Sequence, residues 1–236
     1  MNILVTGASK GIGRAITKQL LENSGPNRVI IIARDYERLL EIKEDPRYKD
    51  SASHIIPIPF DLTDSSGISD QLMPKIENHF DHLDILINNA GYLYNTTMME
   101  MSREEFKRHF EINLFSVAEL IKGCVQLMQS SEIKHIVNVG TMGAIQKRKK
   151  YPGLSAYSSS KAALAALTEL LYEELKPYGI TINYLALGAV ETEMFKEAFP
   201  DGKAPLTPDE IAKYIAEFAL QDWKYMNGKI VEVSLK

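Results

Sequence analysis

Asn2-Ile3-Leu4-Val5-Thr6-Gly7-Ala8-Ser9-Lys10-Gly11-Ile12-Gly13-Arg14 runs as an apolar, β-branched stretch and then breaks into a turn with three glycines. A strand over 3–6, a glycine turn and the helical pattern behind it make a strand-turn-helix unit. Gly7, Gly11 and Gly13 permit a tight turn and a close backbone approach at a helix N-terminus, where free amides and the helix dipole favour a diphosphate. A glycine turn can also be a plain connection. Its position directly after a first strand is what points to a dinucleotide, with Gly7, Ser9, Lys10, Gly11, Ile12 and Gly13 as the contacts.

Outward from this unit, short β-branched runs alternate with longer helical patterns along the chain. Strands are expected at Ile3–Thr6, Arg28–Ala33, His54–Phe60, Ile85–Asn88, His135–Gly140, Thr181–Leu187 and Lys229–Ser234. Alternation of this kind predicts an α/β fold: a Rossmann-type, doubly wound, seven-stranded parallel sheet with helices on both faces. Ligands of such folds bind beyond the carboxyl ends of the strands. Ser102-Arg103-Glu104-Glu105 reads as a capping box opening a long helix towards Ser130, and Pro177 with Gly179 ends the helix of Ser155–Leu175. No linker or repeat divides residues 1–236, so one catalytic domain is expected.

The chain has 236 residues, 45% hydrophobic and 25% charged, with a net charge of −4. The acidic balance argues against a nucleic-acid surface. The single cysteine, Cys124, lies in an apolar helical pattern and reads as a buried thiol in a reducing compartment. No targeting segment precedes Asn2 and no stretch reaches membrane-spanning length, so a cytoplasmic protein without membrane contact is expected. The five histidines show no ligand cluster, and no metal is expected.

Two further segments carry chemistry. After the second strand, Ala33-Arg34-Asp35 leaves room beside a ribose. Arg34 can grip a 2′-phosphate bidentately, and Lys10 adds a cation to the same corner, which favours NADP(H) over NAD(H). In Tyr157-Ser158-Ser159-Ser160-Lys161, a phenol and an ammonium stand at i and i+4 on one helix face. A neighbouring ammonium stabilises a phenolate, so Lys161 is expected to lower the pKa of Tyr157 and fit it for acid-base work.

The turn Thr6–Gly13, Asn88-Asn89-Ala90-Gly91, Tyr157-x-x-x-Lys161 and their order resemble the short-chain dehydrogenase/reductase family over nearly the whole chain. The resemblance implies that Asp61 contacts the adenine with Leu62 beside it, and that Asn89, Ala90 and Gly91 border the cofactor. It implies that Asn113 orders a water beside Lys161, and that Thr192 in the segment from Gly188 through Val190 meets the nicotinamide carboxamide. Lys161 would also hold the nicotinamide ribose. The implied activity is carbonyl reduction or alcohol oxidation of a small molecule, in a homo-oligomer, dimer or tetramer. Competing readings are an NADP-binding regulatory protein without turnover and a sugar-nucleotide epimerase or dehydratase.

The chain departs from the family pattern at several points. Thr141 stands where a catalytic serine is usual, with Ser155 a weaker stand-in, and its methyl restricts the rotamer. Leu187 replaces a common proline, the segment Met194–Pro208 is short for a lid and suggests an open pocket, and the end Val233-Ser234-Leu235-Lys236 makes a tetramer less secure. Tyr92, Leu93, Tyr94, Met142 and Tyr151 are expected around the substrate, where Met98, Met99 and Met101 could join them or fill the core. The basic run Lys147–Lys150 reads as solvated, or as attracting an anionic substrate or a partner.

Overall fold

The structure, a computed structural model, describes residues 1–22, 25–48 and 52–235; Lys236 lies outside them. Seven strands form one sheet: β1 Asn2–Thr6, β2 Arg28–Ala33, β3 His54–Pro59, β4 Ile85–Asn88, β5 His135–Thr141, β6 Thr181–Leu187 and β7 Ile230–Val233. All pairs are parallel, in the order β3-β2-β1-β4-β5-β6-β7. The chain winds outward from β1 to β3 and then restarts at β4 on the other side of β1. That switch leaves a crevice beyond the ends of β1 and β4.

The helices are α1 Gly11–Glu22, α2 Tyr36–Lys43, α3 Ser65–Gly67, α4 Met73–Glu77, α5 Arg103–Phe110, α6 Ser116–Gln129, α7 Ser155–Leu175, α8 Glu193–Ala198 and α9 Pro208–Gln221. Strand alternation sorts the core into two layers. Ile3, Val5, Val29, Ile31, Ile85 and Ile87 face α1, α2 and α9, whereas Leu4, Ile30, Ile32, Leu86 and Ile136 face α4, α6 and α7. The central strands are buried on both faces, which is why they read as continuous apolar runs rather than as alternating ones.

The expected elements are all present, with shifted bounds: β3 stops at Pro59 rather than Phe60, and β7 spans only Ile230–Val233. The long helix expected from Ser102 to Ser130 is interrupted by a π turn at Glu111–Phe115, which widens the coil where Asn113 sits. Only half of the expected capping box forms. Ser102 Oγ accepts from Glu105 N at 3.1 Å, but the Glu105 carboxylate receives the Tyr92 hydroxyl at 2.6 Å instead of reaching back to residue 102. Gly179 ends the α7 region with φ 69°, a left-handed conformation that glycine adopts without strain. Cys124 is fully buried, and burial pushes its thiol up to about 12.

Candidate active site

The carboxyl ends of the strands open into a cleft of about 1000 Å³. Its floor at one end is the glycine turn. Gly7 and Gly11 take φ 68° and 55°, and a Cβ on Gly13 would sit 2.3 Å from Gly7 O and 2.4 Å from Asn89 Nδ2. Only glycine fits that crossing. The first α1 hydrogen bond to the turn is Arg14 N to Lys10 O at 3.3 Å, so the amides of Gly11, Ile12 and Gly13 have no acceptor among the described residues. Such a row of free donors fits a diphosphate.

The turn is welded to β4 by short polar ties. Thr6 Oγ1 accepts from Asn89 N at 3.1 Å and Ala90 N at 3.0 Å, while Asn89 Nδ2 donates to Thr6 O at 3.0 Å. Below them Asn88 Nδ2 donates to Asn138 Oδ1, and Asn138 Nδ2 donates to Thr168 Oγ1, both at 2.9 Å, carrying the tie from β4 through β5 to α7. Asp61, Leu62, Ala90, Gly91, Gly188, Val190 and Thr192 all line the cleft with Ser9 and Lys10. Asp61 is also a turn former, since its Oδ1 accepts from Thr63 N and Oγ1, both at 3.0 Å. Thr192 Oγ1 likewise caps α8 by accepting from Phe195 N at 3.1 Å.

At the β2 end, Arg34 lines the cleft and has no acid partner among the described residues. Asp35 is occupied: its Oδ1 accepts from Arg38 N at 3.2 Å as the α2 cap, and its Oδ2 lies 3.4 Å from Arg38 Nε. Arg38 therefore stands in the same corner, one helical turn after Arg34. The sequence reading missed it. The signal available was a second arginine at i+4 from Arg34.

At the other end of the cleft Tyr157 and Lys161 rise from the first turns of α7. The Tyr157 hydroxyl has no partner among the described residues, and part of the ring reaches the cleft. Lys161 is buried, and its Nζ donates to Val139 O at 2.8 Å. The expected lowering of the phenol's pKa is not what the structure shows. Burial pushes Tyr157 up to about 12 and Lys161 down to about 8, because each charged form loses water.

Gly91, Asn113 and Lys161 converge beside this pair: a Cβ on Gly91 would lie 3.4 Å from Asn113 Oδ1 and 3.7 Å from Lys161 Nζ. The amide of Asn113 is largely spent on a brace. Its Oδ1 accepts from Tyr92 N at 2.8 Å, and its Nδ2 donates to Tyr92 O at 2.9 Å and to Ser160 Oγ at 3.0 Å. One turn earlier His109 extends the brace, accepting at Nε2 from Tyr94 N at 3.1 Å. Tyr94 is exposed and outside the expected lining, while Tyr92, Leu93, Met142 and Tyr151 are in it.

Thr141 also lines the cleft, with Oγ1 accepting from Gly143 N at 3.2 Å, so its own hydrogen is left to donate. Its backbone is fixed by a residue that the sequence reading did not single out. Tyr184, fully buried on β6, accepts from Thr141 N at 3.1 Å and donates to Lys161 O at 3.2 Å through one hydroxyl. The ring occupies space that Gly140 vacates, where a Cβ would come within 1.8 Å of Tyr184 Cζ.

Other expectations are corrected. Ser155 is exposed and outside the cleft lining. Met98 and Met99 are exposed, neither lining the cleft nor filling the core. The short segment after Met194 contributes Met194, Phe195, Phe199, Gly202 and Lys203 to the cleft lining. The basic run is not simply solvated. Arg148 pairs with Glu232 of β7, Lys150 Nζ donates to Gly143 O at 2.6 Å and Ile145 O at 2.8 Å, and Lys149 lies over Tyr151 at the cleft. Among the described residues no acidic, histidine or cysteine cluster could hold a metal, and no helix is long and apolar enough to cross a membrane.

Comparison with known proteins gives this cleft a family. The model of short chain dehydrogenases matches residues 1–203. The 3-oxoacyl-(acyl-carrier-protein) reductase of Escherichia coli is 30% identical, over 98% of this chain and 94% of that protein. An uncharacterised oxidoreductase of Staphylococcus saprophyticus is 29% identical, over 98% and 95%. Among solved structures, a short-chain dehydrogenase of Burkholderia cenocepacia in complex with NADP superposes with a TM-score of 0.85 at 25% identity, over 98% of this chain and 95% of that one. A short-chain dehydrogenase/reductase of Serratia marcescens gives a TM-score of 0.84 at 26% identity, over the same shares of 98% and 95%. With its seven-stranded parallel sheet and glycine turn, the chain belongs to the short-chain dehydrogenase/reductase family of oxidoreductases.

Proposed function

We propose that the protein is an NADP(H)-dependent oxidoreductase that interconverts a carbonyl and a secondary alcohol, with Tyr157 as the acid-base. The observation that carries this reading is the Tyr157 hydroxyl, unpartnered among the described residues, one helical turn from buried Lys161 on a cleft that Thr141 also lines. When bound, the nicotinamide dinucleotide would supply or accept the hydride. The free amides of Gly11, Ile12 and Gly13 would hold its diphosphate, with Asp61, Leu62, Asn89, Ala90, Gly91, Gly188, Val190 and Thr192 along its length. Arg34, Lys10 and Arg38 would meet a 2′-phosphate, and Asp35, committed to Arg38, is poorly placed to take a ribose hydroxyl in its stead.

In the reductive direction Thr141 donates to the substrate oxygen and Tyr157 gives its proton to the forming alkoxide. With its phenol at about 12, Tyr157 is protonated and ready as a donor at neutral pH. As the proton leaves, the phenolate gains the field of the Lys161 ammonium, which is itself near its titration point at about 8. Asn113 keeps the Tyr92 segment and α7 in place while this happens. Leu93, Met142, Leu154, Phe195 and Phe199 exclude water from the reacting end. The 3-oxoacyl reductase named above acts on a carbonyl, which agrees with this reading. We place the enzyme in the cytoplasm as a homo-oligomer, one catalytic domain per chain. A panel of carbonyl compounds run with NADPH and NADH in parallel tests the cofactor: NADPH should be the better donor by kcat/KM, and a clear preference for NADH would overturn it.

A further inference from the structure

The corner formed by Lys10, Arg34 and Arg38 holds an anion of the protein's own. Glu193, the first residue of α8, places Oε2 3.1 Å from Arg38 Nη1 and 3.5 Å from Lys10 Nζ, with Oε1 3.4 Å from the same arginine nitrogen. Lys10 comes from the turn after β1, Arg38 from α2 and Glu193 from beyond β6, so three separate elements meet at one oxygen atom. All three side chains and Arg34 line the same cleft. Next to Glu193, Thr192 Cγ2 lies 3.4 Å from where a Cβ on Gly11 would be, which brings the start of α8 against the glycine turn.

We propose that the Glu193 carboxylate is a built-in occupant of the 2′-phosphate subsite, and that its competition for Arg38 and Lys10 sets how strongly the cleft discriminates a 2′-phosphorylated adenosine. The inference rests on the NADP reading above. A phosphate monoester brings close to two negative charges and three acceptor oxygens, against one charge on a carboxylate, and it can take an arginine fork from each side. Half-exposed ion pairs such as these are weak, so the exchange is inexpensive. The carboxylate stays charged across the working range, since the Arg38 hydrogen bond holds Glu193 below the usual carboxylate value. Glu193 can be changed without unfolding α8, whose start is tied independently by the Thr192 cap and by Glu191, which accepts from Ala204 N at 3.0 Å and pairs with Lys196 at 3.4 Å.

The test is calorimetric titration of the whole chain with 2′,5′-ADP and with 5′-AMP, which differ only in the 2′-phosphate. Glu193→Gln should tighten 2′,5′-ADP binding by about 3- to 10-fold and leave 5′-AMP within about 2-fold, with the gain shrinking at high salt. Arg38→Ala should weaken 2′,5′-ADP selectively. If Glu193→Gln changes both probes alike, or neither, the competition is overturned. A wild-type protein that binds 2′,5′-ADP more tightly while E193Q gains nothing would leave the NADP reading standing and remove Glu193 from it. A wild type without preference, in which E193Q acquires one, would do the reverse. If neither protein prefers 2′,5′-ADP, both ideas fall.

Discussion

The two ends of the cleft are built differently. The glycine-turn end rests mainly on backbone, with left-handed glycines and amides that have no acceptor among the described residues, held to β4 by the side chains of Thr6 and Asn89. The Tyr157 end, where we propose the chemistry occurs, is made of side chains that reach across the fold, with Tyr184 of β6 joining Thr141 of β5 to Lys161 of α7, and Asn113 joining the Tyr92 segment to Ser160. A backbone site tolerates no added atom, whereas a side-chain scaffold degrades by degrees. Substitutions at the two ends should therefore fail in different ways.

The largest effect on cofactor binding is expected at Gly13. An alanine there brings a methyl within 2.3 Å of Gly7 O, so the turn must open. Gly13→Ala should weaken NADPH binding by at least about 100-fold, measured by fluorescence titration, while the sheet still folds. Binding unchanged would show that the turn is a mere connection. Next comes Tyr184→Phe, which keeps the ring beside Gly140 but drops both hydrogen bonds. Its kcat should fall by roughly 30-fold with KM for NADPH unaltered, because a small misplacement of the catalytic groups is costly. A proportional loss in cofactor affinity would mean that the two ends are not separable.

The smallest effect is a control from the opposite end of β5. His135 is fully buried, donates from Nδ1 to Ala219 O at 2.9 Å and accepts at Nε2 from Asn183 at 3.1 Å; burial lowers its pKa to about 4. The unfolded chain takes up this proton below about 6.5 and the folded chain only near 4, so stability is lost as pH falls from 6.5 towards 4. Between pH 7 and 5.5 the loss is roughly 1 kcal/mol by urea denaturation, and His135→Asn should flatten it without changing kcat at pH 7. An equally steep curve in the variant would assign the acid sensitivity elsewhere.

The same contrast explains what could be read in advance. Gly7, Gly11, Gly13 and the strand runs are legible because local rules place them: a turn conformation, a helix start, a strand buried on both faces. Tyr157 and Lys161 are legible as an i, i+4 pair. Tyr184 is not, because an aromatic on a buried strand looks like core until the space left by Gly140, forty-four positions earlier, is seen in register across two strands. Arg38 and Glu193 escape notice for a related reason: their meeting depends on how α2 and α8 are carried over the sheet ends. The state of Tyr157 and Lys161 likewise depends on burial among distant elements, with the Val139 carbonyl taking the ammonium, and spacing alone shows neither.

The central claim is that the Tyr157 hydroxyl delivers the proton, and it is tested most directly by Tyr157→Phe in a carbonyl-reduction assay with NADPH affinity measured on the same samples. The variant should bind NADPH within about 2-fold of wild type and lose kcat by about 100- to 10,000-fold. A Tyr157→Phe enzyme that turns over as fast as wild type, or a wild type that binds NADPH yet reduces no carbonyl in a broad panel, would contradict it.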